Sequence, residues 1–422
     1  MNIIKLILSV LTFLLVSNCT IAQTTVIPDV NFEQALINLG LDTGVPDGTV
    51  PTNNIDTLAI LDITSSGLNL ISDLTGIEDF TQLTKLYCSG NQLTNLDVSQ
   101  NYALTFLDCG GNQLTNLDIS QNSALTFLGC SSNQLTNLDV SQNNALISLF
   151  CSSNQLSNLD VSQNSALFNF GCSHNQLINL DVLQNNALFN LVCSYNQLTS
   201  LDIAQNTALY QLECSSNQLS NLDVTQNTAL ANLNCSLNQL TNLDVSQNNA
   251  LDQFRCSSNQ LTNLDVSQNN ALTFLNCSNN QLTCLNVKNI TPYIFITYLN
   301  PNLVCIEVDN IAYSTTNWTS IDPASSFNTS CPNPCAVGIE ENNISILSLY
   351  PNPTNGIVTI DLGAVKQDIK TTLTNSLGQV ILIEDYTSAN FINLDIDAPK
   401  GIYFLQIETS EGESKILKVL KN

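Results

Sequence analysis

What the chain lacks narrows the field before any motif is read. It has one histidine, His174, in 422 residues, so most histidine-based acid–base catalysis and most zinc sites are out of reach. Lysine and arginine total 10 against 35 acids, a formal net charge of −25. Cations this sparse leave no electrostatic footprint for nucleic acid and no polybasic patch for anionic lipid. Charged residues make up only 11% of the chain, against roughly 25% in an average soluble protein. The hydrophobic fraction is nevertheless 43%, which excludes an acidic disordered chain and supplies material for a sizeable core. The length favours two or three domains over one.

Long apolar runs are missing as well. The longest opens the chain, where Lys5 precedes eleven mostly apolar residues, Leu6 to Val16, and then Thr20-Ile21-Ala22. That is the layout of a secretory signal over residues 1–22, with cleavage after Ala22. Cys19 raises a lipoprotein alternative, but Asn18 before it is not the small residue such a signal wants. No later segment reaches the roughly 18 apolar residues of a membrane helix. The expectation is export through the periplasm to the cell surface or the medium, with no transmembrane span.

What the chain has in abundance is repetition. Cysteines fall at 88, 109, 130, 151, 172, 193, 214, 235, 256 and 277, each step being 21 residues. One copy reads Leu104-Thr-Phe-Leu107-Asp-Cys109-Gly-Gly-Asn112-Gln-Leu114-Thr-Asn-Leu117-Asp-Ile119-Ser-Gln-Asn122. Stretches such as Leu107-Asp108-Cys109 turn two apolar side chains inward and one outward, the spacing of a strand. A single coil cannot bury its inner face. Stacking coils about 4.8 Å apart builds one core and pairs the backbones. The spacing L-x-x-L-x-C-x-x-N followed by L-x-x-L-D-V-x-x-N resembles the bacterial 21-residue class of leucine-rich repeats, over roughly residues 58–308. The fold class expected is mainly β: a solenoid with two parallel strand ladders on opposite walls, about 55 Å long for twelve coils, followed by a small Ig-like β-sandwich.

The repeated polar and sulfur positions have structural readings. Two asparagine columns, Asn91 to Asn280 and Asn101 to Asn269, are placed to satisfy backbone groups inside the turns. The ten repeat cysteines stand where leucine stands in ordinary repeats, so they read as buried free thiols. Stacking at about 4.8 Å also misses the ~3.8 Å Cβ separation of a disulfide. Cys284, Cys305, Cys331 and Cys335 break the register and indicate a disulfide-stapled cap, with three possible connectivities. Similar repeat proteins close with the pattern seen here as Cys305-Ile306-Glu307-Val308-Asp309, Tyr313-Ser314, Asn317-Trp318, Ile321-Asp322, Ser326-Phe327 and Cys331. That resemblance implies a Cys305–Cys331 bridge, with Cys284 and Cys335 either joined or free. At the other end, Asp29 precedes a short helical pattern, Asn31 to Ile37, and Leu58 to Leu83 reads as a degenerate repeat. The two together shield the first coil.

The tail has a different period. Alternating runs at Ile357–Leu362, Ile369–Leu373, Val380–Ile383 and Ile402–Gln406 are separated by turns at Pro353–Gly356, Ser376–Gln379 and Pro399–Gly401. Tyr350-Pro351-Asn352-Pro353, Gly356, Gly378, Gly401-Ile402-Tyr403 and Lys415-Ile-Leu-Lys418 resemble the type A C-terminal sorting domain of type IX secretion, over residues 343–422. The resemblance implies that the secretion machinery is one partner. The domain order expected is a signal over 1–22, an N-terminal cap over 23–84, the solenoid over 85–308, a C-terminal cap over 309–335, a linker over 336–342 and the sorting domain over 343–422.

Comparing the ten copies with one another separates two walls. The half reading N-Q-L-T-N-L-D-V-S-Q-N scarcely changes, whereas the outward positions around the cysteine change from copy to copy. The variable wall carries Phe106, Asp108, Phe127, Phe150, Phe168, Phe189, Tyr210, Glu213, Arg255 and Phe274 as candidate ligand-binding residues. Aromatics beside asparagine and glutamine suit a protein interface or a glycan. The fixed wall carries an aspartate column from Asp97 to Asp265. Two readings compete there, Ca²⁺ along the column or local hydrogen bonds to the backbone. One carboxylate per coil is sparse for Ca²⁺, so neither a metal nor a cofactor is expected. His174 lies in a loop beside Ser173 and Asn175 and no catalytic constellation accompanies it. The chain reads as an exported repeat protein that binds a protein or a glycan, as an adhesin or interaction module, with a glycan binder or a scaffold without specific ligand as alternatives.

Overall fold

The computed structural model describes residues 23–65, 67, 70–332, 335, 348–375, 379–409 and 414–422. The expected signal (1–22), the linker (336–342) and Gly378 lie outside the described residues. The described residues fall into two compact units, divided between residues 335 and 336.

The first unit is the expected solenoid. In each coil the leucines and the cysteine point inward: Leu104, Leu107, Cys109, Leu114, Leu117 and Ile119 are all buried, and their equivalents above and below form one continuous core. Twelve three-residue strands, from Ile60–Asp62 to Ile294–Ile296, pair in parallel along one wall. The register advances one coil per strand, so that Leu107 faces Leu128 and Leu128 faces Leu149. Identical side chains therefore stack in columns.

The opposite wall is less regular than the repeat suggests. Leu117 and Ile119 turn inward as expected, but the parallel strands of this wall are Asn263–Asp265, Cys284–Asn286, Cys305–Glu307 and Ser326–Asn328, at the C-terminal end, with an isolated bridge between Asp97 and Asp118. There Val266, Val287 and Val308 donate their N–H groups to the coil above, at 2.8 to 3.0 Å. The chain turns at the same outward position in ladder and central coils alike: Asp139 and Asp160 each accept from the N–H two residues on, at 2.9 Å, as Asp265 does at 2.8 Å.

Both ends are closed. The helix Val30–Asn38 starts at Asp29, whose carboxylate accepts from Asn31 and Phe32 N–H and also from Ser72 and Asp73 N–H. Burial raises the Asp29 pKa, but these bonds outweigh it and hold the group ionised, below the usual carboxylate value. Buried Glu33 gathers the Asp47 and Gly48 N–H groups. At the far end Cys305 is bridged to Cys331 and Cys284 to Cys335. Trp318 covers the last coil, its indole donating to the Pro292 carbonyl at 3.0 Å and its ring lying on Phe295.

The second unit is a five-stranded antiparallel sheet: Ser348–Tyr350, Ile357–Asn375, Val380–Asp395, Gly401–Glu408 and Ser414–Lys421. The short runs expected at 357–362 and 369–373 are one strand of 19 residues. A register shift between Asp361 and Lys366 bends it, at Gly363 with φ +71°. The bend lets one sheet wrap a single core that includes Val358, Ile360, Leu373, Leu394 and Leu405.

Candidate functional site

The variable wall begins with what holds it from behind. Each of the ten repeat cysteines, Cys88 to Cys277, is buried and free. Burial pushes the thiols up, Cys151, Cys193, Cys235 and Cys277 to about 12. They are neutral apolar fillers at ordinary pH. The first asparagine column closes the turn after each strand. Asn154 Nδ2 donates to the carbonyls of Cys130 and Cys151 at 3.0 and 3.1 Å, and its Oδ1 accepts from Leu135 N–H at 3.0 Å. The residue just before that asparagine is glycine in the first coils, Gly90 and Gly111, with positive φ. From Ser132 onward the same left-handed geometry falls on Ser153, His174, Tyr195, Ser216 and Leu237. Left-handed backbone costs a non-glycine residue about 1 kcal/mol. The surrounding bonds impose it, and it holds Tyr195 and Leu237 out into solvent. His174 stacks on Tyr195 at 4.2 Å.

On this frame the candidate aromatics form two ordered rows. In the first, Phe106 lies flat on Phe127, centroids 4.1 Å apart and planes 6° apart, with Tyr87 against its other side at 4.5 Å. Phe150 ends the row, tilted 51° from Phe127 and exposed. In the second row Phe189 is sandwiched between Phe168 and Tyr210, at 4.9 Å from each and within 4° of both. Exposed Ile147 precedes it one coil earlier. The ~4.8 Å strand spacing is thus also a ring-stacking distance. Stacking consumes the faces of Phe106 and Phe189 and leaves their edges outward. Two glycines make room: a Cβ on Gly129 would lie 3.2 Å from the Phe127 ring and 2.9 Å from Asp108, and one on Gly171 would lie 3.0 Å from the Phe150 ring.

The remaining candidates stand on the same wall, Asp108 beside the first row in the strand of Phe106 and the others further along. Arg255 lies 4.1 Å over the Phe274 ring and donates to Gln253. Glu213 accepts from Gln211. Asp108 accepts from Gly110 N–H at 3.2 Å. Between the rings runs an amide stripe, in which Asn190 donates to Asn169 at 2.7 Å and Asn169 to Ser148. Tyr87, Ile147 and Tyr195 belong to this surface without having been singled out from the sequence. Tyr87 stands in the same outward column as Asp108 and Phe150, and that column was the signal that could have found it.

The fixed wall is chemically uniform. Asp97, Asp118, Asp139 and Asp160 sit below the usual carboxylate value, because the serine N–H two residues on, and then its hydroxyl, favours the charged form. Asp223 is lowered likewise, by the hydroxyl and then the N–H of Thr225. Among the described residues no three histidine, cysteine or acidic side chains converge to hold a metal ion.

In the tail, Asn352 Nδ2 donates to the Lys418 carbonyl at 2.7 Å and its Oδ1 accepts from Leu420 N–H at 2.8 Å. Pro351 and Pro353 flank it. Gly356 N–H donates to the Thr354 hydroxyl, and buried Tyr403 donates to the Pro399 carbonyl at the turn before Gly401. Lys415 lies in the last strand, paired with Ile407, and Lys418 lies opposite Phe404.

Residues 348–422 match the secretion system C-terminal sorting domain. No curated protein matches the chain. Among solved structures, the functional domain of InlJ from Listeria monocytogenes, described as including a cysteine ladder, is 27% identical with a TM-score of 0.62, over 95% of this chain and 99% of that one. The internalin inlF from Listeria monocytogenes strain 4b F2365 shares the fold at 18% identity and a TM-score of 0.56, over 72% of this chain and 96% of that one. Among the described residues no helix is long and apolar enough to cross a membrane, and the sorting domain indicates export to the surface or beyond. The chain is a leucine-rich-repeat protein of internalin-like fold that carries a secretion-system C-terminal sorting domain.

Proposed function

We propose that this protein is an adhesin or interaction module that captures a protein partner on its variable wall, after type IX secretion through the periplasm has delivered it to the surface. The observation that carries the reading is the orientation of the aromatic rows. A sugar stacks on a ring face, and at Phe106 and Phe189 both faces are taken by neighbouring rings. Ring edges beside an amide stripe suit apolar side chains and backbone carbonyls, the groups that a protein surface presents. Phe150, tilted out of its stack and lying over Gly171, is the anchor of this interface. Residues 23–84 and 309–335 serve as caps rather than as binding parts. His174 stacks on Tyr195, and no enzymatic role is proposed for it.

The test is binding of the full chain to target cells that have been treated either with protease or with periodate. Protease should abolish binding, and periodate should leave it intact. Loss on periodate alone would turn the reading to a glycan ligand. Binding of a Phe127→Ala/Phe150→Ala variant at wild-type strength would exclude the variable wall as the binding surface.

A further inference from the structure

The sorting domain keeps two sets of groups apart. The first is Pro351-Asn352-Pro353. Neither proline has an N–H to give a neighbouring strand, and the Asn352 side chain takes that place: it donates to Lys418 and accepts from Leu420, both in the last strand. The backbone continues the pairing, from Thr354 N–H to the Leu420 carbonyl and from Asn422 N–H to the Thr354 carbonyl. Both ends of the Asn352 amide are engaged inside the domain. The motif closes the sheet onto its own C-terminal strand.

The second set is a sheet face. Register aligns Val380, Thr374, Phe404 and Lys418 across four strands, and Ile383, Thr372 and Gln406 in the next row. The residues that alternate with them, Leu373, Leu405 and Val419, are buried in the core, so these rows point away from it. Val380, Ile383, Ile402 and Phe404 are exposed. Beyond the apolar rows, Lys370 lies between Asp385 and Glu408 and compensates its own surroundings. Lys418 stands at the apolar end.

Charge indicates what can approach. Residues 348–422 hold six lysines against nine acids, and the rest of the chain holds four cations against 26 acids. A partner bearing carboxylates is repelled along the solenoid and far less by the tail.

We propose that the face centred on Phe404 is the surface by which the secretion apparatus holds this domain, its protein receptor being apolar opposite Phe404 and Ile383 and carrying a carboxylate opposite Lys418. The proposal rests on the sorting domain acting as the export signal. Asn352 is then a positioning residue that holds the last strand, and with it Lys418, in the face.

The experiment measures the fraction of full chain that reaches the surface or medium of the secreting cell. Phe404→Ser/Ile383→Ser should reduce that fraction about tenfold or more, as truncating an interface hot spot does, while the retained protein melts as the wild type does. Phe391→Ser/Ile357→Ser, on exposed positions of the other half of the sheet, should be exported normally. Lys418→Glu should be retained and Lys418→Arg exported. Asn352→Ala should lower the melting temperature and speed amide exchange in Ser414–Lys421, unlike the face variants. Normal export of the Phe404/Ile383 variant, or equal loss in the Phe391/Ile357 control, would overturn the proposal. Phe404-dependent binding of purified protein to protein-free outer-membrane lipid vesicles would overturn it too, assigning the face to lipid. Removal of residues 348–422 separates the two levels, since unchanged export after that deletion would refute the signal itself rather than the face.

Discussion

The two walls of the solenoid share one core and treat substitution in opposite ways. On the fixed wall the outward aspartates serve the coil itself. They accept the N–H two residues on and turn the chain. On the variable wall the outward positions run through phenylalanine, serine, asparagine, glutamine and arginine, while the cysteine and asparagine behind them never change across the ten copies. A position whose side chain serves the coil stays constant, and one whose side chain serves only the surface is free to differ. The variable wall is therefore where this protein can acquire a partner without losing its fold.

The largest expected break concerns the sulfur column behind the variable strands. Burial raises the ten thiols above their unfolded value of about 8.5. Their contribution to stability is fully present below that value and is lost as pH rises towards the folded values. Each thiol then removes about 1.4 kcal/mol per pH unit, so ten act as a steep alkaline limit. Circular dichroism against pH should show the solenoid unfolding within about one to two units above pH 8.5, and Cys151→Val/Cys193→Val should shift that limit upward. A melting temperature flat to about pH 11 would be incompatible with ten buried thiols.

A smaller effect sharpens the contrast between the two asparagine columns. Asn154→Ala deprives two carbonyls and one N–H of their partner and should cost about 3 kcal/mol. Asn164→Ala removes two donated bonds from an amide whose Oδ1 has no hydrogen-bond partner, and should cost about 2 kcal/mol. Urea denaturation of the full chain orders the two. Equal costs, or the reverse order, would refute the difference assigned to the columns.

The fixed wall should fail at the opposite extreme of pH. Its aspartates have depressed values, so their contribution is present above the unfolded value of about 3.9 and is lost as pH falls through the folded values. Asp139→Asn/Asp160→Asn should melt close to wild type at about pH 7, with a shallower loss of melting temperature below about pH 4. An unchanged acid slope would remove the aspartate turns from the stability of this wall.

These contrasts were unevenly legible in the sequence. The inward leucines, the thiols and the asparagine columns could be read directly, because ten copies placed the same residue at the same phase. The partial ladder on the fixed wall was not read out, although its coils depart from the Asp of the other copies, with Asn286 and Glu307 in that place. The first of its strands, Asn263–Asp265, keeps the common Leu-Asp-Val, and there the extra bond from Val266 depends on how the last coils stack. The left-handed turn was hidden once Ser132, His174 and Leu237 replaced the glycines of the first coils. Ring orientation was hidden too, being set by rotamers and by the space at Gly129 and Gly171. In the tail, alternation found the strands of the core, but it broke the 19-residue strand at its bend.

The binding proposed for the variable wall and the support given by the fixed wall are separable by experiment. They are best told apart with two double variants of the full chain, Phe127→Ala/Phe150→Ala and Asp139→Asn/Asp160→Asn. Each is assayed for binding to the same target cells at about pH 7, where the aspartates are ionised, and its melting temperature is taken alongside. The phenylalanine variant should lose binding at least roughly tenfold at near-native stability, and the aspartate variant should bind as wild type. Equal binding by both, or loss confined to the aspartate variant, would overturn this division of labour between the walls.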